Sequence, residues 1–559
     1  MRRLLYLSLF VVLIDLSFHK CANPGRPTGG PKDTIPPTLI YASPITGTTR
    51  FSGNEITLEF SEYINADKLK QQLIITPKSD INYKSIIKRN RLIFKLEGKL
   101  EDSTTYNFNF ANGVTDITEK NPVVNLSLAF STGPYIDSMI VNGTVEELLT
   151  KEPGKSYVIG LYPNTDTLDY FSQNPMYFTS ANDSGDFKLE YIKKGEYKIL
   201  AFNDDNKNYI LDPETESHGF IQETLLLDSP IYIPHIRCVL QNVKPIKLIN
   251  ARPVGPYVEA KFNKMIDSYK IELADLDHNI VGENKDIIRI YKPEHINYRD
   301  STSVIIYAQD SLLNTTIDTI DFVFLESNRK PSSFSYSSDK RNLLLKDTTQ
   351  VTFNFNKPIK HTNPNNIFFK ADSLFSYRIQ KSIGWNDNKT TANVKFTVNR
   401  DSLFEAYVKS IPTDTAQSDS ASQSKPEPEI SSISLFFDAG TFISIDNDTT
   451  DTKSISIREE QKKPSGSLQI SLTTDHTNFI VQLINAQGEV AYEIANQIFT
   501  NFTSLKPATY SIRILIDSNQ DGQWSYGNLL KNQEPEKVFL YEEKYSIREN
   551  WENTLGITF

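Results

Sequence analysis

The sequence predicts an all-β chain built as a string of separate β-sandwich domains. Three observations carry this. Apolar side chains recur at every second position, as in Ile56, Leu58 and Phe60 or Val351, Phe353 and Phe355, the mark of half-buried strands. Such runs return roughly every ten residues, broken by Gly, Asn and Pro, which suits sandwiches. One stretch is duplicated: the strand from Gly195 runs into Asp204-x-Asn206-x-Asn208, and the strand from Ala508 runs into Asp517-x-Asn519-x-Asp521-Gly522. Tyr197 then matches Tyr510, Asp204 matches Asp517, and Glu223 matches Glu536 in one register.

A chain of 559 residues is too long for one core. Tyr (27) and Phe (32) are abundant and Met (4) is scarce, which favours strands over helices. The net charge of −10 argues against nucleic acid as a partner, because that needs a basic face.

Residues 1–20 read as a secretory signal: Arg2 and Arg3 precede the apolar run Leu4–Ile14, which is too short for a membrane span. Cys21 stands just past it, where a lipoprotein carries its acylated cysteine. An ordinary signal peptide with a free thiol is the alternative. Residues 21–35, with Pro27, Gly29, Gly30, Pro31 and Lys32, read as a tether. The segment from Cys21 to Pro37 resembles the N-terminus of Ig-like-domain lipoproteins of Bacteroidota. That resemblance implies an outer-membrane lipoprotein anchored through Cys21, on the periplasmic or cell-surface face. Cys238 then has no partner in the chain and reads as a small buried apolar group.

Five domains follow. Residues 36–134 carry Leu58–Glu62, Thr105–Phe108, Gly113–Asp116 and Phe130–Gly133, and resemble an SbsA-type bacterial Ig-like domain. Residues 137–233 carry the hairpin Gly185–Leu189 and Gly195–Ile199 and look like a transthyretin or carboxypeptidase-regulatory-like sandwich, a domain type that is not itself catalytic. Residues 240–327 read as a divergent Ig-like sandwich. Residues 331–460 repeat the first domain, with Val351–Phe355, Val394–Val398 and Leu435–Gly440 in matching order. Inside it, residues 413–429 have almost no apolar side chains and read as a disordered insertion. Residues 466–559 repeat the transthyretin-like type, and Tyr541–Trp551 reads as its closing strand. The fold class is thus a string of Ig-like and transthyretin-like β-sandwich domains.

The two acidic loops are the sites worth weighing. Asp517, Asn519 and Asp521 have the alternate spacing of a calcium loop, and Gly522 permits its sharp turn. Asp204, Asn206 and Asn208 form the second copy, with Tyr209 in place of the glycine. Thr215 and Asn528 stand where an EF-hand has its bidentate Glu. The alternative to calcium is an Asx-rich loop whose side chains bond their own backbone. Trp385, in the polar run Gly384–Asn388, is a candidate ligand platform for a sugar. Trp524, which follows the second acidic loop, reads as a core residue because Leu211 holds the equivalent place. Asp-Ser/Thr-apolar triplets resemble the O-glycosylation signal of Bacteroidota envelope proteins, which points to Thr415 and Ser420.

Seven histidines are scattered singly, and there is no HExxH, G-x-S-x-G, P-loop or C-x-x-C. The expected function is therefore non-enzymatic: an envelope lipoprotein acting as a multi-domain scaffold or accessory subunit for an outer-membrane protein partner. A surface carbohydrate-binding or adhesive module is the alternative.

Overall fold

The computed structural model describes residues 33–559 apart from 80, 273–278, 282–284, 294–295, 327–332, 347, 372–374, 412–428 and 459–463. Cys21, Thr415 and Ser420 lie outside the described residues, as does nearly all of the 413–429 segment. The chain divides into two compact units. One holds the residues up to Asn242 together with Ile516–Leu540, and the other holds Val243–Leu515 and Tyr541–Phe559.

In the first unit, the first sandwich opposes two antiparallel sheets. One runs Leu39–Ser43, Glu55–Phe60, Arg91–Glu97, Asn82–Lys88, and the other Ile74–Thr76, Thr105–Asn109, Ser127–Ser131. Alternation explains the partition: Ile56, Leu58 and Phe60 are buried while Glu55 is exposed. Each such side chain contributes about 2 kcal/mol on leaving water. Phe94 and Phe108 meet across the core with ring centroids 6.1 Å apart.

The second sandwich is one curled sheet. Its order is Tyr177–Ser180, Val158–Pro163, Gly195–Phe202, Ser217–Phe220, Ile231–Leu240, Met139–Glu147, Asp186–Ile192. Ile231–Leu240 lies parallel to Met139–Glu147, whereas the other neighbours along this order pair antiparallel. Gly143 is required at that parallel seam, because a Cβ there would stand 2.1 Å from the Ile233 carbonyl oxygen. Cys238 is free and buried on the same seam strand. Hydrogen bonds tie the first two sandwiches: Lys78 N–H donates to Met176 O at 2.7 Å, and Asp137 N–H to Thr105 Oγ1 at 2.9 Å.

In the second unit, the third sandwich has the sheets Leu248–Val254, Tyr257–Phe262, Ile287–Tyr291, Asn279–Val281 and Ser268–Glu272, Ser301–Gln309, Thr315–Val323. The fourth shares the four-stranded sheet order of the first, while its facing sheet has five strands where the first has three. Tyr336–Ser338, Thr349–Phe355, Thr391–Phe396 and Lys381–Trp385 form one sheet. The facing sheet contains Ile367–Lys370, Ser434–Phe437 and Lys453–Ile457. A second departure is the helix Arg400–Ser410, which the strand reading did not foresee. Asn399 caps it by accepting the Ser402 N–H at 2.9 Å, and Leu403 and Tyr407, one turn apart, bury its inner face.

The fifth sandwich reuses the arrangement of the second. Gly466–Thr473 pairs antiparallel with Phe499–Leu505 and parallel with Glu552–Thr558. The closing strand is therefore Glu552–Thr558 and not Tyr541–Trp551, of which Tyr545–Ile547 alone is strand, lying against Ala508–Tyr510. Val538–Leu540 is a separate short strand. Glu552–Thr558 escaped notice because apolar groups fall at only two of its positions, Leu555 and Ile557.

Candidate functional site

The duplicated strands hold the two acidic loops in the same way. Tyr197 Oη donates to Lys193 O and Tyr510 Oη to Lys506 O, each at 3.0 Å. A second tyrosine crosses each at right angles, Tyr177 with centroids 6.0 Å away and Tyr492 at 6.1 Å. At the far end of the strand, Asn203 N–H donates to Ser217 O at 2.9 Å and Ile516 N–H to Lys537 O at 3.0 Å. The carbonyl used belongs in each case to the residue just after a buried glutamate.

Those glutamates are Glu216 and Glu536, and they organise the loops. Glu216 is fully buried and takes the Asp205 N–H (3.2 Å) on one oxygen and the Asp212 N–H (2.8 Å) on the other. Glu536, 7% exposed, takes Ser518 N–H (2.7 Å) and Asn519 N–H (3.1 Å) on Oε1 and Ser525 N–H (2.8 Å) on Oε2. A carboxylate that accepts several N–H groups replaces the water those donors would lose. The register that paired Glu223 with Glu536 is thus corrected: Glu223 is exposed, and Glu216 has the matching role. The register slips because the loop is longer in the second copy. Glu216 comes twelve residues after Asp204, and Glu536 nineteen after Asp517.

The smaller oxygens also face the backbone. Asp204 accepts the Asn208 and Tyr209 N–H groups, Asn206 that of Asn208, and Asn208 that of Ile210. Asp517 accepts Gly522 N–H, Asn519 accepts Asp521 N–H, and Asp521 accepts Gln523 N–H, each at 2.9 Å. This is the geometry of successive Asx turns. Among the described residues no group of three or more His, Cys, Asp or Glu side chains gathers around a metal position.

Within the first unit the longer loop also grips the second sandwich. Glu534 Oε1 accepts Gln222 N–H at 2.7 Å, Asn532 Nδ2 donates to Gln222 O at 3.0 Å, and Gln241 Nε2 donates to Gly527 O at 3.1 Å. Trp524 is half-buried rather than core, with Nε1 donating to Lys537 O at 3.2 Å and Tyr526 edge-on at 4.6 Å. Trp385 is not in a loop. It ends the strand Lys381–Trp385, half-buried, with Phe355 at 6.1 Å and Phe442 at 6.0 Å.

His218, 4% exposed beside Glu216, is one titrating group of this region. Burial pushes its imidazole down to about 4. The unfolded chain gains a proton near pH 6.5 while the folded chain does not, so stability present above that pH is lost as pH falls toward 4. The expected loss is about 3 kcal/mol. Burial moves the Glu216 carboxyl upward, so its own effect runs the other way, favouring the fold at acid pH. Urea unfolding at neutral and acid pH, compared between the natural chain and His218→Leu, isolates the imidazole. Equal pH slopes in the two proteins would contradict this account.

The remaining described histidines assemble no relay. Thr144 Oγ1 lies 2.9 Å from His235 Nδ1, but Glu146 Oε2 lies 3.5 Å from the same nitrogen. A nucleophile–base–carboxylate relay needs its partners on opposite ring nitrogens.

Residues 33–132 match the family described as a bacterial Ig-like domain, a span that coincides with the first sandwich. No curated protein matches the chain. Similar solved structures include the S-layer protein rSbsC(31-844), 11% identical, with 92% of this chain and 68% of that chain covered and a TM-score of 0.14. BcpA, the major pilin subunit of Bacillus cereus, is 9% identical over 75% of this chain and 99% of its own, with a TM-score of 0.12. The human desmocollin-1 ectodomain is 9% identical over 53% and 60%, with a TM-score of 0.14. The chain is an all-β protein of sandwich domains in which residues 33–132 match a bacterial Ig-like domain.

Proposed function

We propose that this chain is a non-enzymatic cell-envelope lipoprotein. Cys21 anchors it to the outer membrane, and its sandwiches form a stiff scaffold for an outer-membrane protein partner. The observation that carries the scaffold reading is the interlocking of the first unit. Lys78 bonds Met176, Asp137 bonds Thr105, and the 516–540 segment grips Gln222 and Gln241, so neighbouring pieces are held by direct hydrogen bonds and not by a loose linker. Pre-organised surfaces of this kind lose little entropy on docking. Support for the anchor comes from the leader pattern of residues 1–20 and the short tether before the Ig-like match begins. Among the described residues no helix is long and apolar enough to cross a membrane.

The anchor is tested by labelling cells with an alkyne fatty acid and separating the membranes. The natural chain is expected to take up label and sediment with the outer membrane, and Cys21→Ser to do neither. Label retained by Cys21→Ser would reject the anchor. Cross-linking of the natural chain in isolated outer membranes tests the partner, with a β-barrel protein as the expected product.

A further inference from the structure

We propose that a polar depression at one end of the first sandwich binds a neutral sugar unit. It encloses about 340 Å³, at the small end of the range for ligand sites. The ribbon in which Ile64–Asn65 pairs with Thr115–Asp116 sets Asn65 and Thr115 side by side within it. Lys68 and Gln72 line it from the short helix Leu69–Gln72 and its cap, and Asn112 lines it from the turn before Thr115. These five side chains present amides, a hydroxyl and an ammonium. Amides and hydroxyls both donate and accept hydrogen bonds, as the hydroxyls of a sugar do. An anion would leave the acceptors unused, and an apolar ligand would strip water from all of these groups without replacing it.

The depression is set before any ligand arrives. Leu69 is buried and pins the helix to the core of the sandwich. Gly113 lets the neighbouring turn close onto that helix, because a Cβ there would stand 3.0 Å from Gln72 Cβ and 3.0 Å from Phe110 O. Asn65 Nδ2 donates to Asp67 Oδ2 and Asp67 N–H donates to Asn65 Oδ1, each at 2.8 Å, which fixes the plane of the Asn65 amide. The buried Asp116 accepts the N–H groups of Glu119, Lys120 and Asn121 at 2.6, 2.8 and 3.0 Å. Those bonds hold the turn that brings Lys120 and Pro122 to the rim. Pro122 is exposed and offers an apolar edge to the C–H face of a sugar ring. Gln72 is half-buried and Asn112 exposed, so both amides stand within reach of a ligand. Walls held in this way cost a ligand little ordering entropy.

The test is saturation-transfer NMR on the full chain with neutral probes: the methyl glycosides of glucose, mannose and galactose, and N-acetylglucosamine. At least one is expected to bind, with an affinity that salt does not change and that inorganic phosphate does not compete away. Asn112→Ala, in an exposed turn, and Gln72→Ala are each expected to weaken binding about fivefold, the worth of one hydrogen bond. Lys95→Ala, at an exposed position of Arg91–Glu97 outside the depression, is expected to leave binding unchanged. The proposal is overturned if none of the sugars binds, if phosphate displaces a bound sugar, if either amide variant binds as the natural chain does, or if Lys95→Ala weakens binding as much as they do.

Discussion

Replacing Lys357 by methionine is expected to destabilise the fourth sandwich by about 3–5 kcal/mol, the usual cost of stripping one partner from a buried ion pair. Lys357 has no exposed surface, and its Nζ meets Asp446 Oδ2 at 2.8 Å and Asp448 Oδ2 at 2.6 Å. Burial pulls the ammonium toward deprotonation, and the hydrogen bonds it donates to the two aspartates outweigh it, so its pKa lies above the ordinary lysine value. Methionine fills similar space without charge and takes from the largely buried Asp446 the ammonium group it pairs with. A chain with several domains does not unfold in one step, so hydrogen exchange must localise the effect to residues 349–396 and 434–457. Adding Asp446→Asn to the variant should recover part of the loss. A loss under about 1 kcal/mol would mean the pair is hydrated and unimportant.

Glu536→Ala is expected to cost about 4 kcal/mol, because three loop N–H groups lose a charged acceptor in a site closed to water. Glu536→Gln keeps one oxygen and should cost less. Glu216→Ala is expected to act likewise in the second sandwich, on two N–H groups. Glu223→Ala, at the exposed residue that the sequence register pairs with Glu536, should change stability by no more than about 0.5 kcal/mol. Urea unfolding of the four variants decides the matter. If Glu223→Ala proves as costly as Glu216→Ala, the structural pairing of the two loops is wrong.

These two cases mark where the sequence stops being readable. Strands such as Glu55–Phe60 and Thr349–Phe355 were legible because one face is dry and the other wet, and period two records that difference residue by residue. The kinship of the duplicated strands was legible from Tyr197 and Tyr510 for the same reason. Glu216 was not, because loop lengthening destroys register just where its partner must be found, and an isolated glutamate looks like any surface charge. Lys357 is hidden in the same way, with its aspartates some ninety residues further on. The Arg400–Ser410 helix buries only two side chains, too few for a period to stand out. Trp385 misled because its polar neighbours suggested a loop, while the ring itself turns onto Phe355 and Phe442.

The grip of residues 516–540 on Gln222 and Gln241 bears on the order of events when the chain is made. The first unit borrows residues 516–540, so it remains unfinished until the whole span from Val243 to Leu515 has been made. Contacts so distant along the chain form slowly, since the closure entropy of the intervening span comes first. During synthesis, the residues up to Asn242 would thus pass through a long interval in which they wait, incomplete, for residues 516–540.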